Sequence, residues 1–560
     1  VVHANDERVT AGGVDVTVSG DLVHSAAVAE VITACVVDKV PARLTASDAT
    51  LWGPDAESLA AIRLGWVDLP ASSRALLPQL AELRERLAAE GLDHVVLAGM
   101  GGSSLAPEVI TATYGKSLTV LDTTDPAQVR RALGEDLERT VVVVSSKSGG
   151  TVETDSHRRA FEQAFLDEGL TNDQLAGRIV VVTDPGSPLE NTARNAGYTI
   201  VLADPNVGGR YSALTAFGLV PSALAGVDVE RLLDEAAALA PTLAGDRDNP
   251  GLLLGAVLGA AANHGRDKLV LANSGDIVGF GDWAEQLIAE STGKQGRGIL
   301  PVVVESPTAP GFDHASGPDA VRAVIGAEDI ERLAADLRVS GPLGAQLLLW
   351  EYATAVAGRV LGIDPFDQPN VQESKDNTGA LLERAGDDGP LPVGTPAFVD
   401  GAVEVHGDAG LLAGASDLTG ALRALLAAVP DNGYLAVMAY LDRLGDTDAP
   451  ELRPLLAEAL DGEQVTFGWA PRFLHSTGQF HKGGPAVGAF LQITGANTED
   501  LDVPAKPYSF GRLQLAQALG DLGAITSRER PVLRLHLTDR AAGLGQLLDA
   551  ARALADGAAR

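Results

Sequence analysis

The chain is short of cysteine, methionine, aromatic rings and positive charge, and the shortages of cysteine and of positive charge each exclude something. Cys35 is the only cysteine, so no intrachain disulfide can form and no cysteine-based zinc site can be built; a reducing cytoplasm fits. Aromatics are 4% of the residues and no apolar run is long. Gly251–Ala262 (GLLLGAVLGAAA), the longest, is too short to span a bilayer. Val1–Thr10 (VVHANDERVT) lacks a basic segment followed by an apolar one and does not read as a signal peptide. Lys and Arg number 42 against 75 Asp and Glu, a net charge of −33. Nucleic acid and anionic membrane, which both need a basic face, are poor partners for such a chain. What is present, 46% hydrophobic and 21% charged residues, is the composition of a soluble globular protein. Its 560 residues allow about three to four units.

Short apolar strands alternate with helical patterns along most of the sequence. His94–Ala98 (HVVLA) leads into GMGGSS and a helix, and Thr140–Ser145 (TVVVVS) leads into SKSGGT and another. Ile179–Thr183 and Tyr198–Ala203 continue the series. A second series runs from Lys268–Asn273 through a helix at Trp283–Glu290, a strand at Ile299–Val304 and a long helix at Leu343–Leu361. Arg384–Pro396 (RAGDDGPLPVGTP) reads as a linker. Strand signals return at Gln464–Phe467, Ala489–Thr494 and Val532–Leu537. Strand–helix alternation predicts an α/β fold whose parallel sheets are covered on both faces. The expected units are a mixed α/β element at 1–68, a sandwich domain at 69–250 and a second at 251–560.

In a chain so short of positive charge, bases set among Gly, Ser and Thr are candidates for holding a small anion. Glycines and hydroxyls placed after a strand, at a helix N-terminus, present backbone N–H groups to an anion. GMGGSS (Gly99–Ser104) and SKSGGT (Ser146–Thr151) both have this form, and neither has the spacing of a dinucleotide or P-loop site. EQLIAESTGKQGRG (Glu285–Gly298) places Lys294 and Arg297 directly after Glu290. The expectation is that Glu290 moves a proton and the bases hold the anion. Taken singly, Glu290 is a solvated helix-face acid, Arg210 in GGRYS a surface arginine, and Lys375 in DQPNVQESK a solvated lysine. His475 and His481, in LHSTGQFHKGGP, lack the spacing of a zinc pair and have no acid nearby; they suggest a polar pocket.

Together GMGGSSLAP, SSKSGGTVET, VGGRYSALTAFGL, DWAEQLIAESTGKQGRGILP, DPFDQPNVQESK and LHSTGQFHKGG resemble the glucose-6-phosphate isomerase family. The likeness runs from about Leu97 to Leu537 and is nearest to the isomerase half of bacterial transaldolase–isomerase fusions, which would suit a start at Val1. It implies two sugar-isomerase (SIS-type) αβα sandwich domains with the site between them. By resemblance, Ser146, Lys147, Ser148 and Thr151 grip the sugar phosphate, with Gly102 and Ser103 beside them. Glu290 is the catalytic base, Arg210 faces the enediolate, Lys375 is the active-site lysine and His475 opens the ring, with Gln286 and Gln479 as substrate contacts. The order departs from the family pattern: the histidine segment follows the lysine segment, as if a block had been transposed. His314, in GFDHASGP, keeps the family order and is the alternative histidine. Ser148, Gly149 and Asn370 are smaller departures.

The implied reaction is reversible isomerisation of glucose 6-phosphate and fructose 6-phosphate through a cis-enediol, with neither metal nor cofactor because only protons move. Sugar phosphates are the implied partners. A homodimer, and membership of a longer transaldolase–isomerase chain, are both compatible with the resemblance. The alternative from another class is a non-catalytic phosphosugar-binding regulator. It would need the SKSGGT loop but not Glu290, Arg210, His475 and Lys375 together. An aminosugar isomerase would need a nitrogen source or an aminosugar pocket, and the sequence carries a marker for neither.

Overall fold

Three sheets organise the computed structural model, which describes residues 5–312, 317–326, 330, 332–386, 389–460 and 462–558. The first is all parallel, in the order Thr119–Leu121, His94–Gly99, Thr140–Ser145, Ile179–Thr183, Thr199–Leu202. Its central strands, TVVVVS and IVVVT, are buried along their whole length. That is why they read as unbroken β-branched runs rather than as alternating ones.

The second sheet has four parallel strands, Leu337–Ser340, Ala320–Gly326, Lys268–Ser274 and Leu300–Val304. An N-terminal hairpin, Glu7–Ala11 and Val14–Val18, extends it antiparallel from Leu337–Ser340. The third sheet repeats the plan, with parallel Val532–Leu537, Gly488–Gly495, Tyr434–Tyr440 and Gln464–Trp469. Phe398–Asp400 and Val403–Gly407 form its antiparallel edge. The class is the parallel α/β architecture that the alternation implies. The sheets nevertheless divide the chain differently from the expected units. The strands of 1–68 complete the second sheet, and the residues after 251 carry two sheets between them.

The longest apolar run is a core helix, Pro250–Asn263, buried from Pro250 to Ala261. It lies against Leu343–Leu361 closely enough that a Cβ on Gly255 would stand 2.5 Å from the Ala353 carbonyl oxygen. No helix among the described residues is long and apolar enough to cross a membrane.

Candidate active site

Glu290 ends a helix, Phe280–Thr292, that buries Trp283, Ala284, Leu287 and Ile288 on the second sheet and carries its acid inward, 8% exposed. One turn earlier, Gln286 lies on the same face. Its Nε2 donates to Glu290 Oε2 at 3.1 Å and to the His475 carbonyl at 2.7 Å. Arg210 faces the other carboxylate oxygen, 3.3 Å from Glu290 Oε1. That guanidinium is itself held on every side, donating to Ser291 Oγ (2.8 Å), Gln368 Oε1 (2.8 Å) and the carbonyls of Pro365 (2.6 Å) and Asp367 (2.9 Å). Glu290 is therefore oriented by two donors that are fixed in turn.

The bases after Glu290 do not serve the expected purpose. Lys294, with no exposed surface, donates its ammonium to the Asp364 carbonyl (2.7 Å) and to both the carbonyl and the carboxylate of Asp367. Arg297 Nη1 donates to the Leu361 carbonyl at 2.9 Å. These residues hold the chain at 361–368, the same loop that grips Arg210, so they support the site from behind instead of binding an anion. Burial pulls the Lys294 ammonium down to about 8, opposed by the Asp367 carboxylate.

The GMGGSS turn sits where the Arg210 turn, the Glu290 helix and the His475 turn converge. A Cβ on Gly102 would fall 1.9 Å from the Gly209 carbonyl oxygen, and one on Gly101, at φ +55°, 2.7 Å from Gln286 Nε2. Here glycine permits backbone to approach backbone. Ser103 is buried in this turn, 8% exposed. In the SKSGGT loop, Ser146 Oγ bonds Thr151 Oγ1 (2.9 Å) and accepts from the Gly149 amide (3.2 Å). Gly149 is at φ +71°, and its missing Cβ would meet the Leu189 amide at 2.7 Å.

A cavity of about 350 Å³ opens beside this loop, lined by Ser148, Thr151, Glu153, Lys375, His475 and Gln517 among others. Lys147 does not line it; its ammonium pairs with Asp184 at 2.5 Å. Glu290 and Arg210 are also outside the lining and meet this group through Gln286, at the His475 backbone.

The transposed block thus reaches the Glu290 helix. His475 Nε2 lies 3.1 Å from Glu153 Oε1. Glu153 was not among the sequence candidates, although it stands two residues after Thr151. Burial would raise its pKa, but the His475 charge and hydrogen bond, with the Lys375 charge, bring it down to about 2. Gln517 Nε2 donates to the same oxygen at 2.7 Å and fixes it from the far side. A carboxylate accepting from Nε2 leaves Nδ1 as the nitrogen free to exchange a proton.

Gln479 is fully buried. It clamps Gly293 and Asn370, donating to the Gly293 carbonyl and Asn370 Oδ1 (both 2.9 Å) and accepting from the Asn370 amide (2.9 Å). His481, read as part of a polar pocket, instead lies in a cage of Tyr434, Phe473 and Phe490, and neither ring nitrogen has a partner among the described residues. Burial pulls its pKa to about 3, so it is a neutral core residue. His314 falls outside the described residues. Among the described residues no group of three or more His, Cys, Asp or Glu could hold a metal ion.

Solved structures share this fold. It superposes on a glucose-6-phosphate isomerase from Chlamydia trachomatis with a TM-score of 0.55, at 18% identity, over 68% of this chain and 90% of that one. A hypothetical protein from Thermus thermophilus gives 0.53 at 25% identity, over 63% and 96%. Residues 84–309 match the phosphoglucose isomerase family, and an isomerase of Rubrobacter xylanophilus is 31% identical over 397 residues, 58% of this chain and 90% of its own length. The chain belongs to the phosphoglucose isomerase family. A probable glucose-6-phosphate isomerase of Haloarcula marismortui is 38% identical over 218 residues, 37% of this chain. The chain spans about half of that relative's length (49%) and 66% of the glucose-6-phosphate isomerase of Citrifermentans bemidjiense, at 30% identity over 52% of this chain.

Proposed function

We propose that the chain interconverts glucose 6-phosphate and fructose 6-phosphate, in a reducing compartment such as the cytoplasm. The observation that carries this is the Gln286 amide, bonded at once to the Glu290 carboxylate and to the backbone of His475. It joins a buried carboxylate and a carboxylate-paired imidazole in one site, and an aldose–ketose isomerase needs both. Relatives named glucose-6-phosphate isomerase supply the substrate.

His475, its ring oriented by Glu153, exchanges a proton with the sugar ring oxygen as the ring opens, and Lys375 lies in the same cavity to assist. Glu290 then takes the C2 proton and returns it at C1. A positioned acid–base step of this kind contributes about 10²–10⁴-fold. Arg210 faces the charge that develops on the enediolate, already oriented before substrate arrives. Ser148 and Thr151 meet the phosphate, whose binding energy orients the reacting end. A non-catalytic sugar-phosphate binder would have no use for the Glu290–Gln286–His475 link. The test is a coupled assay for glucose 6-phosphate formed from fructose 6-phosphate, in metal-free buffer with chelator. Steady turnover supports the proposal, and binding without turnover turns it into the regulator.

A further inference from the structure

The third sheet has a basic face that the isomerase chemistry does not use. Leu533, Leu535 and Leu537 point into one hydrophobic core, so the alternate residues Arg534 and His536 point to the opposite face. His406 is the direct cross-strand neighbour of Arg534. The segment Pro392–Thr395 crosses this face, and beneath it lies a cavity of about 710 Å³, lined by His406, Arg530, Arg534, Thr395 and Thr526 among others. That is within the usual range for a small-molecule site.

Arg534 is only 3% exposed, yet it forms no ion pair among the described residues and its Nε has no hydrogen-bond partner there. Its one bond runs from Nη2 to the Val393 carbonyl of the crossing segment. Glu404, the acid whose charge it feels, is bonded to His406 at 3.4 Å instead. Arg530 repeats the pattern, with Nε unpartnered and a single long bond of 3.5 Å to the Pro485 carbonyl. A guanidinium taken out of water without a counter-charge costs several kcal/mol. Arg534, with the half-buried Arg530 on the same cavity wall in a chain with a net charge of −33, marks a place kept for an anion. Asp408 and Glu529, also in the lining, are exposed at the surface, so the anionic group belongs at the buried Arg534 with the half-buried Arg530 beside it.

We propose that this cavity is a second ligand site, separate from the isomerase site, that binds a small phosphate ester with its phosphate on Arg534 and Arg530. A planar guanidinium fork matches phosphate oxygens better than an ammonium does. The site stands whether or not the isomerase reading does, because none of its residues lines the Glu153–His475 cavity.

The probe is inorganic phosphate, added to the full chain during thermal unfolding, with sodium chloride at matched ionic strength as control. In the parent protein phosphate should raise the midpoint in two saturable parts. Ser148→Ala with Thr151→Ala should remove one part and Arg534→Met the other, with turnover in phosphate-free buffer unchanged in Arg534→Met. Without phosphate, Arg534→Met should unfold about 1 °C or more above the parent, because an uncompensated buried charge is gone. A lower midpoint with the full phosphate response would make Arg534 a pin for the crossing segment and overturn the proposal. Should Arg534→Met fail to fold, Arg530→Met carries the test: loss of the same part supports the site, and a parental phosphate response rejects it.

Discussion

The two regions that meet at the site differ in what is added to their packing. Within the family-matched stretch, residues 84–309, the parts fit by contact: Gly102 against the Gly209 carbonyl, and Gly281 against Val303 under the Glu290 helix. The third-sheet region, which brings His475, shares an apolar core with the second sheet, Phe473, Phe480 and Phe490 with Ala289, Leu300 and Val302, and adds a seam of ion pairs to it. Arg472, three residues before His475 and 8% exposed, meets Asp122 at 2.6 Å and also pairs with Glu108. Arg443 pairs with Glu108 at 2.6 Å, Asp442 with Arg131 at 2.9 Å and Arg540 with Asp125 at 2.7 Å. Close backbone packing tolerates almost no displacement, whereas ion pairs admit small shifts and are weakened by salt. Both halves are thus packed by contact, and the half that brings His475 adds ion pairs along its seam.

The largest expected effect is on the Glu290 side. Glu290→Gln keeps the shape and the Gln286 contact but cannot take a carbon-bound proton. Turnover should fall by about 10²–10⁴-fold, with phosphosugar binding retained and exchange of the C2 hydrogen with solvent abolished. Near-parental exchange would remove Glu290 from the role of base.

Glu153→Gln should cost less, about tenfold or more in kcat on cyclic substrate, since it disorients His475 without removing it. Its acid limb is distinctive. The Glu153 carboxyl lies near 2 in the folded protein and near ~4.3 unfolded, so its stabilisation is complete above ~4.3 and is lost as pH falls towards 2. Across that window the Gln variant should lose less stability than the parent in acid titration followed by circular dichroism. Parallel titration curves would contradict the assignment.

These two carboxylates also show what a sequence can and cannot say. The Gly-rich turns were legible because local spacing carries them, a strand, then glycines and hydroxyls, then a helix, whereas Glu290, bland when taken singly, was singled out by the resemblance of the whole set of motifs. Glu153 was not, because an acid in the first turn of a helix already has a bland explanation in the helix dipole. Nothing local says that it is buried against a histidine 322 residues away. Lys294 misled for the same reason, since its true partners are carbonyl groups 70 and 73 residues on. The third sheet was only half visible. Its strand Tyr434–Tyr440 (YLAVMAY) is buried throughout, and a short unbroken apolar run does not distinguish strand from buried helix.

Arg472→Ala tests what the ion-pair seam adds to that packing. Turnover on cyclic substrate should fall several-fold with KM little changed, and the deficit should deepen with added salt while C2 exchange on an open-chain analogue holds. Equal losses on both substrates would mean that the ion pairs serve folding alone. The smallest effect belongs to His481→Phe, which replaces a neutral, unpartnered ring in an aromatic cage. It should leave turnover within about twofold of the parent, an aromatic-for-aromatic exchange of similar volume. A large kinetic loss there would mean that the cage histidine, not its neighbour six residues earlier, carries the proton.

The central claim is that the third-sheet region supplies the ring-opening histidine. It is tested most directly by comparing His475→Ala and His314→Ala on cyclic substrate and on an open-chain analogue. The expected result is a loss in the His475 variant that is confined to the cyclic substrate, with His314→Ala close to the parent. A normal His475→Ala beside a crippled His314→Ala would contradict it.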